Sequence, residues 1–474
     1  MNIKVVILVD NGVRDLLSCR LLQEEFRKRG ILATLCCKRT MKIVLRAVEP
    51  DVVIVPRGDL PYLRDLAQCS RLYVVPCEGG RLTLKTMMSV FLGRVHKGDV
   101  LSKGNRLDQF SNIISNFDFI RRVYLWGPQT YNFLKESNYF RPEQLKVAGS
   151  VKLDVYRNGT VKRKRTSQDD FVMGVAFSAK ATSSFYGKVN YAEILYGFDE
   201  KSHLPMVPPG RHWEDYAWRD FAILRQMMNV IKRFLETTQG TVYLRIGPLE
   251  NPNDYTFLTK FFPGRVRIQE DMGELYEFLT SIDVLLTCWS TTGIEAILCG
   301  VPVIATPSLM DREHLFRHVD PEANGFNTFL PCYHLPQSEE EVMGMMERAR
   351  NHQLPLTPNE ARFKDLLRDS YHWPTKESAA QTIVTDILED VKNNFYPQQS
   401  SWAKVLPLPS MVNMPMNAMA FINKPGAFAL LKKAYEVKFF IEDIQSHRLK
   451  GSQRHHMTKN PHVDAVIQMT QNGQ

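Results

Sequence analysis

The sequence predicts an α/β protein of two doubly wound domains facing across a cleft, followed by a C-terminal helical extension. Three observations carry this reading. At 474 residues the chain exceeds what one hydrophobic core usually organises. Apolar strand-like runs alternate with helical stretches, and the rhythm stops at a charged segment and then restarts. Finally, CWSTTGIEAILCGVPVIATP at 288–307, entered from the apolar run IDVLLT, reads as a polar turn, a helix and a further strand, the form used to hold a phosphate group.

In the first domain, residues 1–159, IKVVILV leads into a helix over about 14–29, then ILATLCC, a helix over 41–48 and DVVIVP. RLYVVP, a helix from about residue 82, RVYLWG and LKVAG complete it. Alternation of this kind implies a parallel sheet with helices on both faces. The run TVKRKRTSQDD, 160–170, reads as a basic linker; without interleaved aromatics a hinge is favoured over a nucleic-acid patch, and no nucleic-acid partner is expected. The second domain, 171–335, holds FVMGVAFS, a helix over about 213–237, TVYLRIG, RVRIQ, IDVLLT and VPVIATP. Residues 336–395 supply helices that complete the core, SEEEVMGMMERAR and ESAAQTIVTDILEDVKNN. From 396 to 474 the chain turns Pro- and Met-rich, and a helix over about 428–444 gathers Phe428, Leu431, Tyr435 and Phe439 on one face. That face suits a membrane or a partner, and packing back on the protein is an equal alternative.

The 44% apolar content is that of a globular protein, and eight scattered cysteines without paired spacing fit reduced, cytoplasmic surroundings. MNIKVVILVDNG reads as strand and turn rather than as a leader, and no run approaches the roughly 20 apolar residues of a membrane span. A net charge of +9 favours anionic partners such as nucleotides, phosphates or the inner face of an anionic membrane, and is equally met by a solvated basic face.

In doubly wound sheets ligands bind beyond the carboxyl ends of the strands, so polar residues there are the candidates. On the first domain these are Asp10 and Arg14, Glu78 with two glycines, Trp126-Gly127, and Lys152 with Asp154 after Gly149. On the second they are Lys180, Arg245, Gly247, and Ser290, Thr291, Thr292 and Glu295. The last block offers an anion free backbone N–H groups and hydroxyls, with Glu295 one turn on, placed for ribose hydroxyls. Thr292 and Glu295 also have the spacing of a capping box, and both roles can coexist.

Four separated elements give the chain a family resemblance: VDNGVRDLLSCRLLQEEFRKRG, VPCEGGR, WGPQTYNFL followed by VAGSVKLDVYR, and STTGIEAILCGVPVIA. Over roughly residues 3–310 it resembles the bacterial surface carbohydrate biosynthesis proteins, candidate glycosyltransferases of the GT-B fold with two Rossmann-like domains. The resemblance implies a nucleotide-sugar donor on the second domain and a lipid-linked or oligosaccharide acceptor of surface polysaccharide or lipopolysaccharide on the first. It departs from the family at Gly247, where a histidine is expected, at Lys152, where arginine is expected, and at Cys77, where a second acid is expected.

Transfer of the sugar needs a base at the acceptor and an anion site for the leaving phosphate. Glu78 is the first candidate base, with Asp10 and Asp154 behind it. Asp10 has the alternative of tying down its turn through Arg14, and Asp154 that of capping or pairing with Lys152. Ser290, Thr291, Thr292 and Arg245, with Lys180, would hold the phosphate, the Gly247 amide could approach it, and Arg14 and Lys152 would lie on the acceptor side. No metal or other cofactor is implied. With a CMP-Kdo donor a first-domain carboxylate would act as nucleophile instead. A nucleotide-sugar epimerase of the same fold and a noncatalytic nucleotide-sugar-binding scaffold remain alternatives.

Overall fold

The structure, a computed structural model, describes residues 3–10, 12–37, 40–56, 63–77, 117–136, 140–159, 171–176, 213–247, 250–269, 275–288, 290–310, 326–394 and 400–402. Glu78 and Lys180, the side chain of Arg14, the linker 160–170, the helix expected near residue 82 and the one over 428–444 lie outside these residues.

Among the described residues two parallel α/β sheets of six and five strands form the core, in the GT-B-like arrangement that the motifs imply. The first sheet contains β1 (Val5–Val9), β2 (Ala33–Cys37), β3 (Val52–Val55), β4 (Arg71–Val74), β5 (Arg122–Leu125) and β6 (Leu145–Val147), in the order β2-β1-β3-β4-β5-β6. The second contains β7 (Val172–Ala176), β8 (Thr241–Arg245), β9 (Val266–Ile268), β10 (Val284–Thr287) and β11 (Val303–Ala305), in the order β11-β10-β7-β8-β9. β1, β3 and β10 are buried along their whole length, as near-continuous Val/Ile/Leu runs must be when helices cover both faces.

Chain order reverses between β1 and β3 in the first sheet and between β7 and β10 in the second, which opens a crevice at each reversal. Thr287, last in β10, lies in register with Ala176, last in β7. The turn carrying Ser290 therefore leaves the second sheet beside the end of β7.

Helices α1 (Gly12–Lys28), α2 (Met41–Val48), α3 (Leu63–Ala67) and α4 (Pro128–Glu136) belong to the first domain. The second domain has α5 (Trp213–Thr237), α6 (Phe257–Phe261), α7 (Leu275–Thr280), α8 (Thr292–Leu298) and α9 (Phe326–Phe329). Three helices follow: α10 (Glu339–Arg350), α11 (Glu360–Tyr371) and α12 (Ala379–Asn393). Ser338, Asn359 and Ser378 cap them, each side-chain oxygen accepting a hydrogen bond from the amide three residues on.

These helices divide between the domains. α10 buries Val342, Met345 and Met346 in the second-domain core with α5, whereas α12 returns to the first sheet and buries Ile383, Val384 and Ile387 against β1, β3 and α1. Beneath α12 the Asp390 carboxylate accepts from Tyr73 Oη at 2.6 Å and from Arg121 Nε and Nη2, both at 2.9 Å. Asp386 accepts from Tyr124 Oη at 2.7 Å and pairs with Arg122 and Lys146. Burial alone would raise both carboxyls; the hydrogen bonds from Lys146, Arg122 and Tyr124 to Asp386, and from Arg121 and Tyr73 to Asp390, outweigh it and hold them below the usual carboxylate range.

Candidate functional site

The two domains meet at the carboxyl edges of both sheets, and the motif residues concentrate there. After β6 the chain turns at Gly149, whose φ of +92° favours glycine, and enters a 3-10 segment, Val151–Gly159. Successive side chains of this segment reach three different neighbours. Lys152 Nζ lies 2.8 Å from Glu295 Oε2, Asp154 accepts hydrogen bonds from the Ala379 and Ala380 amides at 2.9 Å each, and Tyr156 Oη donates to Glu295 Oε1 at 3.1 Å. Arg157 stacks over the Trp373 ring and donates to Thr375. One short segment thus links the second domain to the start of α12.

Asp154 does not pair with Lys152, which takes Glu295 as its partner. Both Asp154 oxygens instead meet the first amides of α12, a capping role favoured at the positive end of a helix. Burial raises the Asp154 carboxyl above the usual range despite these donors. The geometry gives it a structural task.

Glu295 is 4% exposed, on the first turn of α8. The capping-box spacing with Thr292 is not used: Thr291 is the N-cap residue and makes no side-chain cap bond, and the carboxylate turns across to Lys152 and Tyr156. An ionic partner in a buried setting outweighs a neutral amide one turn back. The amides of the turn are also less open than the sequence implies. Thr292 N donates to Ser290 Oγ at 3.2 Å, Gly293 N to Ser290 O at 3.1 Å and Ile294 N to Thr291 O at 3.0 Å. Tyr333 Oη donates to Ser290 O at 2.9 Å, fixing the turn from behind. The side chains of Ser290, Thr291 and Thr292 remain half-buried rather than enclosed.

Aromatic residues enclose the junction. Trp126 stacks on Tyr371 with ring centroids 5.8 Å apart, and its Nε1 donates to Pro76 O at 2.8 Å. That bond ties down the strand end two residues before Glu78. Burial and the Glu295 charge hold the Tyr156 and Tyr371 hydroxyls well above the usual phenol range, and Arg245 opposes the shift at Tyr156. Arg245 therefore belongs to the same electrostatic neighbourhood. It ends β8, its Nη1 donates to Gln269 Oε1 at 2.6 Å, and its guanidinium lies 5.9 Å from the Phe278 ring centroid. Gly247 is half-buried and its carbonyl accepts from the Glu250 amide at 3.0 Å; Glu250 itself is buried and accepts from Tyr255 Oη at 2.9 Å. Asp10 is half-buried immediately after β1, in the other switch-point crevice.

The structure thus brings Lys152, Thr291 and Glu295 together around one crevice, with Trp126, Ser150, Leu153, Ile294 and Tyr371 completing its walls. The free space amounts to about one water molecule. Tyr156 and Tyr371 are functional-site residues that motif reading does not single out, although Tyr156 lies four residues after Lys152 within VKLDVY. No group of three or more His, Cys, Asp or Glu side chains is arranged to hold a metal ion among the described residues. No helix among them is long and apolar enough to cross a membrane.

No protein-family model matches the chain, and no curated protein matches it. Among solved structures it is similar to S. aureus MnaA determined with UDP, at 12% identity and a TM-score of 0.46, with 84% of this chain and 100% of that one covered. The wall teichoic acid polymerase TagF gives 9% identity and a TM-score of 0.46, covering 82% of this chain and 89% of that one. For Methanocaldococcus jannaschii UDP-GlcNAc 2-epimerase in complex with UDP-GlcNAc and UDP the figures are 12% and 0.42, with 81% and 99% covered. The likeness is one of fold, and activity must be read from this chain's own residues.

Proposed function

We propose that the chain is a glycosyltransferase that moves a sugar from a nucleotide-activated donor to an acceptor of surface polysaccharide or lipopolysaccharide, without a metal ion. The observation that carries this reading is the placement of Thr291 and Glu295, on the turn and helix that begin at Ser290 at the β7/β10 switch point, facing the first-domain segment that holds Lys152. Hydroxyls at a strand end, followed one helical turn later by a carboxylate, suit a phosphate and a ribose respectively. Arg245 supplies positive charge near the leaving phosphate, with the Gly247 amide and Lys180 as further donors.

Glu78 would take the acceptor proton as the glycosidic bond to the donor phosphate breaks and the bond to the acceptor oxygen forms. It follows in sequence the strand end at Pro76, whose carbonyl accepts from Trp126 Nε1. Asp10 is kept as the second choice for base; Asp154 is engaged by the first amides of α12 instead. Arg14 would contribute on the acceptor wall. The inner face of the cell membrane is the expected working place, since the acceptor is taken to be lipid-linked.

The test is release of free nucleotide from a panel of UDP-, GDP-, CDP- and CMP-sugars by the purified full chain. One nucleotide class should be turned over, with Glu78→Gln lowering kcat by at least about a hundredfold and leaving nucleotide affinity intact. Turnover unaffected by Glu78→Gln would remove Glu78 from the mechanism. Inversion of the sugar at C2 without nucleotide release would replace transfer by epimerisation.

A further inference from the structure

The carboxylate assigned above to ribose has both oxygens engaged by the opposite domain. Lys152 holds Oε2 at 2.8 Å and Tyr156 holds Oε1 at 3.1 Å, and the Lys152 and Glu295 side chains are 17% and 5% exposed. The space around them accommodates about one water molecule, far less than a ribose ring. A nucleotide therefore cannot reach Glu295 while the two domains keep this arrangement. Nor can Lys152 simply swing aside with α8. Its own segment is anchored to α12 through Asp154 and to Trp373 and Thr375 through Arg157, while Leu153 and Tyr156 pack in one apolar cluster with Leu285 and Ile294 of the second domain.

We infer that Lys152 and Tyr156 form a latch between the domains, which keeps Glu295 from the donor until the domains part and so couples nucleotide binding to domain opening. This rests on the reading of Glu295 as a ribose-binding residue. Binding then has to break a desolvated ion pair, and the apparent affinity is reduced by the fraction of molecules in which the pair is open. Removing the Lys152 charge leaves Glu295 buried without its cation, an arrangement relieved when the domains separate and the carboxylate meets water. Lys152 is accordingly a positioning residue, and its loss should strengthen nucleotide binding rather than weaken it.

Two readouts test the latch: the Kd of CMP, UDP, GDP and CDP by calorimetry, and the interdomain distance from dyes attached at the exposed Glu136 and Lys260. In Lys152→Met, the nucleotide that the wild type binds should bind roughly tenfold tighter, and without nucleotide the distance distribution should shift to longer values. Lys152→Arg, which retains the charge, should keep both wild-type values and shows that the position tolerates substitution. Tyr156→Phe should move both readouts in the same direction as Lys152→Met by a smaller amount. Weaker nucleotide binding in Lys152→Met, or no change in the distance distribution, overturns the latch. Lys152→Met itself separates the two ideas: a lengthened distance with unchanged nucleotide binding removes the ribose role and with it the coupling, while leaving the pair as what holds the domains together.

Discussion

Gly127 has no room for a methyl group, since a Cβ at this position would stand 2.3 Å from the Asp369 carbonyl oxygen and 2.5 Å from the Ser370 carbonyl carbon. Both neighbours are backbone at the end of α11 and cannot rotate away. The Trp-Gly pair thus lets α11 approach while Trp126 stacks on Tyr371. Gly127→Ala should lower the thermal midpoint, with a cost of about 1–3 kcal/mol from forced backbone displacement; an unchanged midpoint would show that the contact is looser than these distances. Asp154→Ala should cost about 1–2 kcal/mol by leaving the first amides of α12 without their acceptor. Amide exchange in α12 checks it, and protection equal to wild type would contradict the capping role. The sequence marks Gly127, Gly149, Lys152 and Asp154 as motif residues, but their partners lie more than 200 residues away in the case of Gly127 and Asp154. Spacing identifies such positions without telling a hinge from a ligand site.

Helix α12 shows how far periodicity reaches. The pattern in ESAAQTIVTDILEDVKNN predicts the helix, and Ser378 begins it with a side-chain cap. Its destination is a different matter, because the helix pattern alone does not say where Asp386 and Asp390, one turn apart, find partners. In the structure they lie beneath the helix, paired with Arg121, Arg122, Lys146 and two tyrosines from the first sheet. The adjacent arginines at the start of RVYLWG are the complementary signal, visible once the two segments are known to meet. Because both carboxyls are held below their ordinary range, their contribution is present above about pH 4 and is lost as pH falls through the lower folded values. The thermal midpoint of the wild type should therefore fall more steeply between pH 5 and pH 3, taken as approximate limits, than that of Asp386→Asn/Asp390→Asn. Parallel pH profiles would show that the two carboxyls do not support docking of the helix. The short α8 teaches the converse: its apolar sequence correctly places a helix after the turn, while the expected Thr292–Glu295 box gives way to an ion pair made from the other domain.

At the scale of the whole molecule, the two-sheet architecture is legible because each strand is a local run of Val, Ile and Leu, and the charged break separates two complete rhythms. Which strands border each crevice is less local, yet the order of parallel connections places the Ser290 turn at a switch point. The closing of that crevice by Lys152 and Tyr156 is a property of the assembled domains, and no single segment encodes it. The central claim is that the junction around Glu295 binds the nucleotide of a donor sugar. Its most direct measurement is calorimetric titration of the full chain with CMP, UDP, GDP and CDP, comparing Lys152→Met with Lys152→Met/Glu295→Gln, so that the ion pair is absent from both and only the carboxylate differs. One nucleotide should bind to Lys152→Met, and the double variant should lose about tenfold or more in affinity as a charged acceptor for the ribose hydroxyls disappears; binding of equal strength in both proteins would place the nucleotide elsewhere and contradict the account.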